Sequence, residues 1–165
     1  MKVLIIIPAY NEEESIEKVI NNLKQNYSQY DYVIINDGSH DHTSEICHKN
    51  KYKIIDLPVN LGLTGAFQTG LKYAYKKGYD YAIQFDADGQ HLPEYIPAMV
   101  DKIEEGYDMV IGSRFVEKPK PRSLRMLGSR VISTAIKITT GVHIADPTSG
   151  MRLFNKTLIK EFAEN

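Results

Sequence analysis

The sequence predicts an α/β fold on a mainly parallel central sheet, and three observations lead there. Short apolar stretches begin near residues 3, 32, 53, 81 and 109 and alternate with segments of helical spacing, the pattern of βαβ units. The first stretch, residues 3–7, is continuously apolar and rich in β-branched side chains, as suits a strand covered on both faces. Polar and acidic residues follow several of these stretches, and in open parallel sheets the strands' carboxyl ends share one edge where ligands bind. Right-handed crossovers are expected.

Residues 3–7 end at Pro8 and lead into Ala9-Tyr10-Asn11-Glu12-Glu13-Glu14-Ser15. Ile16, Val19, Ile20 and Leu23 then recur at helical spacing. Asn11 is the expected N-cap, with the three glutamates in the first turn where the helix dipole favours negative charge. Residues 32–35 form the second strand, which runs into Asn36-Asp37-Gly38-Ser39 and a short helix over 41–49. Ile54 and Ile55 mark a third strand, and Asn60-Leu61-Gly62 a turn. Leu63, Phe67, Leu71 and Ala74 trace one face of the next helix, which stops near Gly78. Residues 81–85 are the fourth strand, Ile96, Met99, Val100 and Ile103 a helical face after Pro93, and residues 109–111 the fifth strand.

The alternation breaks after Ser113. In Glu117-Lys118-Pro119-Lys120-Pro121-Arg122 two prolines remove backbone donors and restrain their neighbours, which predicts a mobile loop. A helix with Leu127, Val131, Ala135 and Ile138 on one face follows, then Ala145-Asp146-Pro147-Thr148-Ser149-Gly150-Met151-Arg152-Leu153-Phe154. No repeat or linker divides residues 1–165, so the sequence reads as one domain.

Apolar residues make up 42% and charged residues 25% of the chain, with a formal net charge of −1, so nothing in the balance points to nucleic acid. The single cysteine, Cys47, excludes an internal disulfide and a cysteine-rich zinc site; it fits a reducing compartment and reads as a small packing residue. The N-terminal apolar run is too short for a signal peptide, and no run reaches the roughly 18 residues that span a bilayer. A soluble chain is expected.

The most informative stretch is Asp86-Ala87-Asp88-Gly89-Gln90-His91, directly after the fourth strand. In an extended chain alternate side chains share a face, so Asp86 and Asp88 point together and Gln90 joins them if the extension persists. Such an oxygen cluster suits Mg²⁺ or Mn²⁺, which take one or two carboxylates and fill their other positions with water and substrate phosphates. A solvated turn is the competing reading of an isolated Asp-x-Asp, and the position at a strand's carboxyl end favours the ligand site. An EF-hand is excluded, because Gly at its sixth position and Glu at its twelfth are here His91 and Pro97. Neither a Gly-x-Gly-x-x-Gly fingerprint nor a P-loop is present, so a diphosphate would be held by metal and basic side chains. A sugar nucleotidyltransferase would carry a Gly-rich basic loop after the first strand and a receiver domain an acidic pair, and the chain has neither.

Four motifs in register, Pro8-Ala9-Tyr10-Asn11-Glu12, Asn36-Asp37-Gly38-Ser39, Asp86-Ala87-Asp88-Gly89-Gln90 and Asp146-Pro147-Thr148-Ser149-Gly150-Met151-Arg152, resemble glycosyltransferase family 2. They are similar especially to its branch of dolichol-phosphate mannosyltransferases and other polyprenyl-phosphate glycosyltransferases. The resemblance implies a GT-A fold, a Rossmann-like three-layer α/β/α sandwich, with a UDP- or GDP-sugar donor and inversion at the anomeric carbon. By position, Pro8, Ala9, Tyr10 and Glu12 would line the nucleotide pocket and Asp37 would meet the base. Asp86, Asp88 and Gln90 would hold the metal on the diphosphate, and Arg114 and Arg130 would meet donor or acceptor phosphate. A solvated helix face is the other reading of Arg130. Asn36 stands where the family often has an acid and Gln68 where Asn is common, two departures that bear on base or ribose contacts.

The expected chemistry is direct displacement of the nucleoside diphosphate, with Asp88, Arg114 and Asp146 as the catalytic candidates. A phosphate acceptor needs no base, since its second pKa is about 6. A hydroxyl does, and Asp146 is the candidate, with Asp88 as a further one; the other reading of Asp146 is a turn before Pro147. The basic stretch 117–130 reads as a lid, as a peripheral contact with anionic lipid, or as a solvated loop. The implied setting is the cytoplasm, peripheral at the inner membrane face, in cell-envelope synthesis. A nucleotide-sugar-binding module without transferase activity is the alternative. Relatives continue past the Ser-Gly-x-Arg motif, so the resemblance also implies a domain cut short at its C-terminus.

Overall fold

The computed structural model describes residues 1–88, 92–112, 133–134, 137–139, 141 and 149–165. Its sheet is built outward from β1 (Val3–Ala9), every residue of which is buried. The strand's period of two sends Val3, Ile5 and Ile7 into one core and Leu4 and Ile6 into another on the opposite face. β2 (Asp31–Asn36) and β4 (Tyr81–Gln84) pair with β1 on either side, both parallel. β3 (Ile54–Asp56) extends the sheet beyond β2, also parallel.

α1 (Ile16–Asn26), α2 (Thr43–Lys49) and α4 (Ile96–Glu104) cover the first face, and α3 (Gly62–Lys77) lies on the second. Four side chains of α1 and four of α4 are buried at the spacing read from the sequence. Cys47 of α2 is fully buried, and burial pushes its thiol up to about 11, as fits a packing residue. α3 sits close on the sheet because Gly70 has no side chain; a Cβ there would run into Ile6. Its end is set by Gly78 in the left-handed region (φ 69°).

Three local expectations are corrected. First, α1 begins at Ile16 with Ser15 in the N-cap position, so Asn11 and the three glutamates precede the helix. Asn11 has φ 56° and spends its side-chain oxygen on the His40 N–H, linking two loops instead of capping. Second, Arg152–Asn155 is a strand, β6, which the alternation of strands and helices did not predict. It lies antiparallel between β4 and β5 (Met109–Ile111), giving the order β3-β2-β1-β4-β6-β5. Leu153 and Phe154 enter opposite cores, which is why so short a segment is held there. α5 (Lys156–Glu164) follows at once, its N-terminus capped by the Asn155 side chain, and packs beside α3. Third, Ile138, assigned by spacing to an apolar helix face, is 78% exposed.

The sheet is thus mainly parallel with helices on both faces, a three-layer α/β/α sandwich. Among the described residues no helix is long and apolar enough to cross a membrane. Gln90, Arg114, Arg130 and Asp146, the stretch 117–130, and Leu127, Val131 and Ala135 lie outside the described residues.

Candidate active site at the carboxyl edge of the sheet

The strand order reverses at β1: β2 and β3 lie on one side, β4 on the other, and α3 crosses between them on the opposite face from α1 and α2. At such a switch point the loops diverge and leave a crevice beyond the strand ends. Here that crevice is a cleft of about 220 Å³ lined by Pro8, Ala9, Tyr10, Glu12, Asp37, Leu63, Ala66, Asp86, Ala87 and Asp88. All seven described residues singled out from the sequence as site candidates, drawn from three separate stretches, line it together.

Two loops are laced along one wall. The Asn11 N–H donates to Ser39 Oγ (3.0 Å), the Glu12 N–H to Thr43 Oγ1 (2.8 Å) and the Glu13 N–H to Asp41 Oδ2 (3.1 Å). In return Glu13 Oε2 accepts from the His42 N–H (3.0 Å) and lies 2.8 Å from His42 Nδ1. These two hydrogen bonds from His42 hold the Glu13 carboxyl below its usual range, and the same partner raises His42. The lacing fixes where Tyr10 and Glu12 stand relative to Asp37. Tyr10, half exposed, meets His40 edge to face at 6.4 Å.

Asp37 is only 3% exposed, and its Oδ1 accepts from the Leu61 N–H at 2.7 Å just before α3. Gly38 (φ 69°) makes that approach possible, since a Cβ would come within 2.9 Å of the Asn60 nitrogen. The opposite wall comes from beyond β4: Asp86 half-buried, Ala87 buried and Asp88 exposed. Gln84 Nε2 reaches Asp86 Oδ1 at 3.4 Å.

Among the described residues no group of three or more His, Cys, Asp or Glu converges as a complete metal cage. Asp86 and Asp88 on one cleft wall are nevertheless the donor set that Mg²⁺ or Mn²⁺ uses when diphosphate and water supply the remaining ligands, so the residues fit such an ion.

Leu63 and Ala66 are lining residues that the motifs do not mark. By spacing Leu63 belongs to the apolar face of α3, yet it is 56% exposed and walls the cleft. It is the second residue of α3, where a helix has not yet settled onto the sheet; its place immediately after the turn glycine Gly62 was the available signal. The two departures at Asn36 and Gln68 face elsewhere. Asn36 Nδ2 donates to Asp56 Oδ1 (2.7 Å), and Gln68 Nε2 to the Phe162 carbonyl (3.3 Å).

A second cleft of about 530 Å³ opens on the other side of Leu63, between α3, α5 and the β4-β6-β5 edge. Its lining includes Phe67, Leu71, Met109, Phe154 and Phe162, with Gln84, Ser149, Gly150 and Arg152 at one end.

Residues 4–162 match the family model described as glycosyl transferase family 2. A UDP-N-acetylglucosamine–dolichyl-phosphate N-acetylglucosaminyltransferase of Methanococcus voltae is 36% identical, over 98% of this chain and 72% of its own length. A dolichol-phosphate mannosyltransferase of Pyrococcus furiosus is 33% identical over 97% of this chain, which spans 48% of that protein. Among solved structures, glucosyl-3-phosphoglycerate synthase from Mycobacterium tuberculosis, in complex with Mn²⁺, UDP-glucose and phosphoglyceric acid, superposes with a TM-score of 0.75 at 20% identity. That likeness covers 95% of this chain and 57% of the synthase, and supports the GT-A fold.

Proposed function

The chain belongs to glycosyl transferase family 2, in the branch of polyprenyl-phosphate sugar transferases, and from that premise we propose that it moves a sugar from a nucleoside diphosphate sugar onto a polyprenyl phosphate with inversion. The observation that carries the reading is the convergence of Pro8, Tyr10, Glu12, Asp37, Asp86 and Asp88 on one cleft at the sheet's switch point. Residues 1–165 act in this reading as one donor-binding domain. Relatives acting on dolichyl and dolichol phosphate support the acceptor class, and the synthase bound to UDP-glucose supports the donor class.

The laced loops present Tyr10 as a face for the base, and the buried Asp37 turns its remaining acceptor capacity to the base's N–H groups. Asp86 and Asp88, with Gln90, would hold Mg²⁺ or Mn²⁺, which when bound offsets the negative charge gathering on the departing diphosphate. Arg114 and Arg130 would grip phosphate oxygens with forked donors. The acceptor oxygen forms a bond to the anomeric carbon as the bond to the diphosphate breaks, and attack from the opposite face inverts the configuration. An ionised phosphate acceptor gives up no proton, so Asp146 need not act as a base. With a lipid acceptor, the site works peripherally at a membrane surface, and the basic residues of 117–130 supply the attraction to anionic lipid.

Isothermal titration of UDP, GDP and their sugar conjugates, with Mn²⁺ and with EDTA, tests the donor site against Asp88→Ala. Metal-dependent binding of one nucleotide, lost in Asp88→Ala, is the expected result. Binding without transfer to any polyprenyl phosphate would make the chain a nucleotide-sugar-binding module. No nucleotide binding by folded protein would overturn the reading.

A further inference from the structure

The two clefts share the wall formed by Leu63, and Gln84 joins them: it lines the apolar cleft while its Nε2 lies 3.4 Å from Asp86 Oδ1 in the polar one. The apolar cleft is itself two-ended. Along its floor Phe67, Phe154 and Phe162 form a run of rings with centroids 5.7 and 5.8 Å apart. At the other end stand Gln84 and Arg152, whose Nε donates to the Ser149 carbonyl at 3.1 Å.

Phe162 is 45% exposed, Met109 39% and Leu63 56%, so these apolar side chains face open space, while Phe154 and Leu71 belong to the buried core behind them. Apolar surface left open in this way marks an interaction site. Its volume of about 530 Å³ falls in the roughly 300–1,000 Å³ range of small-molecule sites. A ligand matched to it has an anionic head for Arg152 and Gln84 and a greasy tail for the rings.

We infer that this second cleft seats the acceptor: the proximal isoprene units of a prenyl phosphate lie along Phe67 and Phe162, and its phosphate meets Arg152 and Gln84, one side chain away from the donor carboxylates. The inference rests on the acceptor class proposed above. It places the nucleophilic oxygen beside Asp86 by the same side chain, Gln84, that joins the clefts, and it makes Leu63 the divider between donor and acceptor.

The test is titration of farnesyl phosphate, farnesol and inorganic phosphate without donor, below the micelle concentration, into wild type, Phe162→Asp and Arg152→Gln, with melting curves run alongside. Farnesyl phosphate should bind wild type and lose at least tenfold in affinity in each variant, while farnesol binding should fall in Phe162→Asp and hold in Arg152→Gln. In parallel, a farnesyl phosphate carrying a diazirine on its tail is crosslinked to wild type and mapped, which decides the matter even if a variant fails to fold. Labels on the α3 and α5 peptides support the inference. Labels elsewhere, no farnesyl phosphate binding, or affinity unchanged in folded Phe162→Asp would overturn it. So would a dimer that Phe162→Asp dissociates in the absence of lipid binding, which would give this face to a second copy. Because no donor is present, these outcomes are separate from those of the nucleotide titration.

Discussion

One helix walls two clefts of opposite chemistry. On one side of Leu63 the lining is carboxylate and loop backbone, brought together by strand ends and hydrogen-bonded turns. On the other it is aromatic and aliphatic, supplied by the regular faces of α3, α5 and β6. The polar cleft is positioned by directional bonds, each with a named donor and acceptor. The apolar cleft is positioned by packing, which fixes shape more than orientation. A site that must hold a diphosphate in one pose and a flexible hydrocarbon in many would be divided this way.

The largest effect that can break this comparison is Asp88→Ala. Removing a carboxylate that fits the cation should cost several kcal/mol of charge stabilisation, so transfer falls about a hundredfold or more, while farnesyl phosphate binding is retained. If lipid binding falls as far, the clefts are not separate sites. Next is Gly70→Ala, which pushes α3, the helix that contributes to both clefts, off Ile6. Overpacking of this kind costs about 1–3 kcal/mol, and urea unfolding should show it, with both ligands weakened. A variant of unchanged stability would mean that Ile6 gives way freely.

Asp37→Asn sharpens the donor side alone. An amide oxygen still accepts from the Leu61 N–H, so the melting temperature should hold, but loss of a charged acceptor at the base should weaken nucleotide binding about tenfold. Equal affinity in calorimetry would remove Asp37 from the base contact.

The smallest effect tests the lacing by pH. His42 is raised by Glu13, so its contribution is complete below the ordinary imidazole value of 6.5 and is lost as pH rises through the raised value. Glu13 is lowered, so its contribution is complete above the ordinary carboxyl value of 4.5 and is lost as pH falls through the lowered value. The pair is therefore strongest between 4.5 and 6.5. His42→Phe should flatten a small stability maximum in that window in pH-dependent thermal melts, and a maximum that survives would assign it to other groups.

Much of the polar cleft was legible in the sequence because carboxylates after strands are conspicuous and a parallel sheet must bring its carboxyl ends to one edge. The strands and the buried faces of α1 and α4 were legible for a similar reason: a period of two or 3.6 in apolar residues has few physical causes. The errors fall where local pattern and long-range packing disagree. Asn11 carries the residue type of a cap, but its side chain gains more by tying two loops together than by starting a helix four residues early. Arg152–Asn155 directly follows the turn-forming residues Ser149 and Gly150 and has only two apolar side chains, and it becomes a strand because β4 and β5 leave a gap with unpaired ladder groups between them.

The α/β alternation, the two-faced burial of β1 and the motifs that identify the family can be read along the chain, since each depends on residues near one another. The strand order, the insertion of β6 and the meeting of two clefts at Leu63 emerge with the folded chain. Those depend on which distant surfaces bury each other, and Leu63 looks the same in sequence whether it faces the core or divides two clefts.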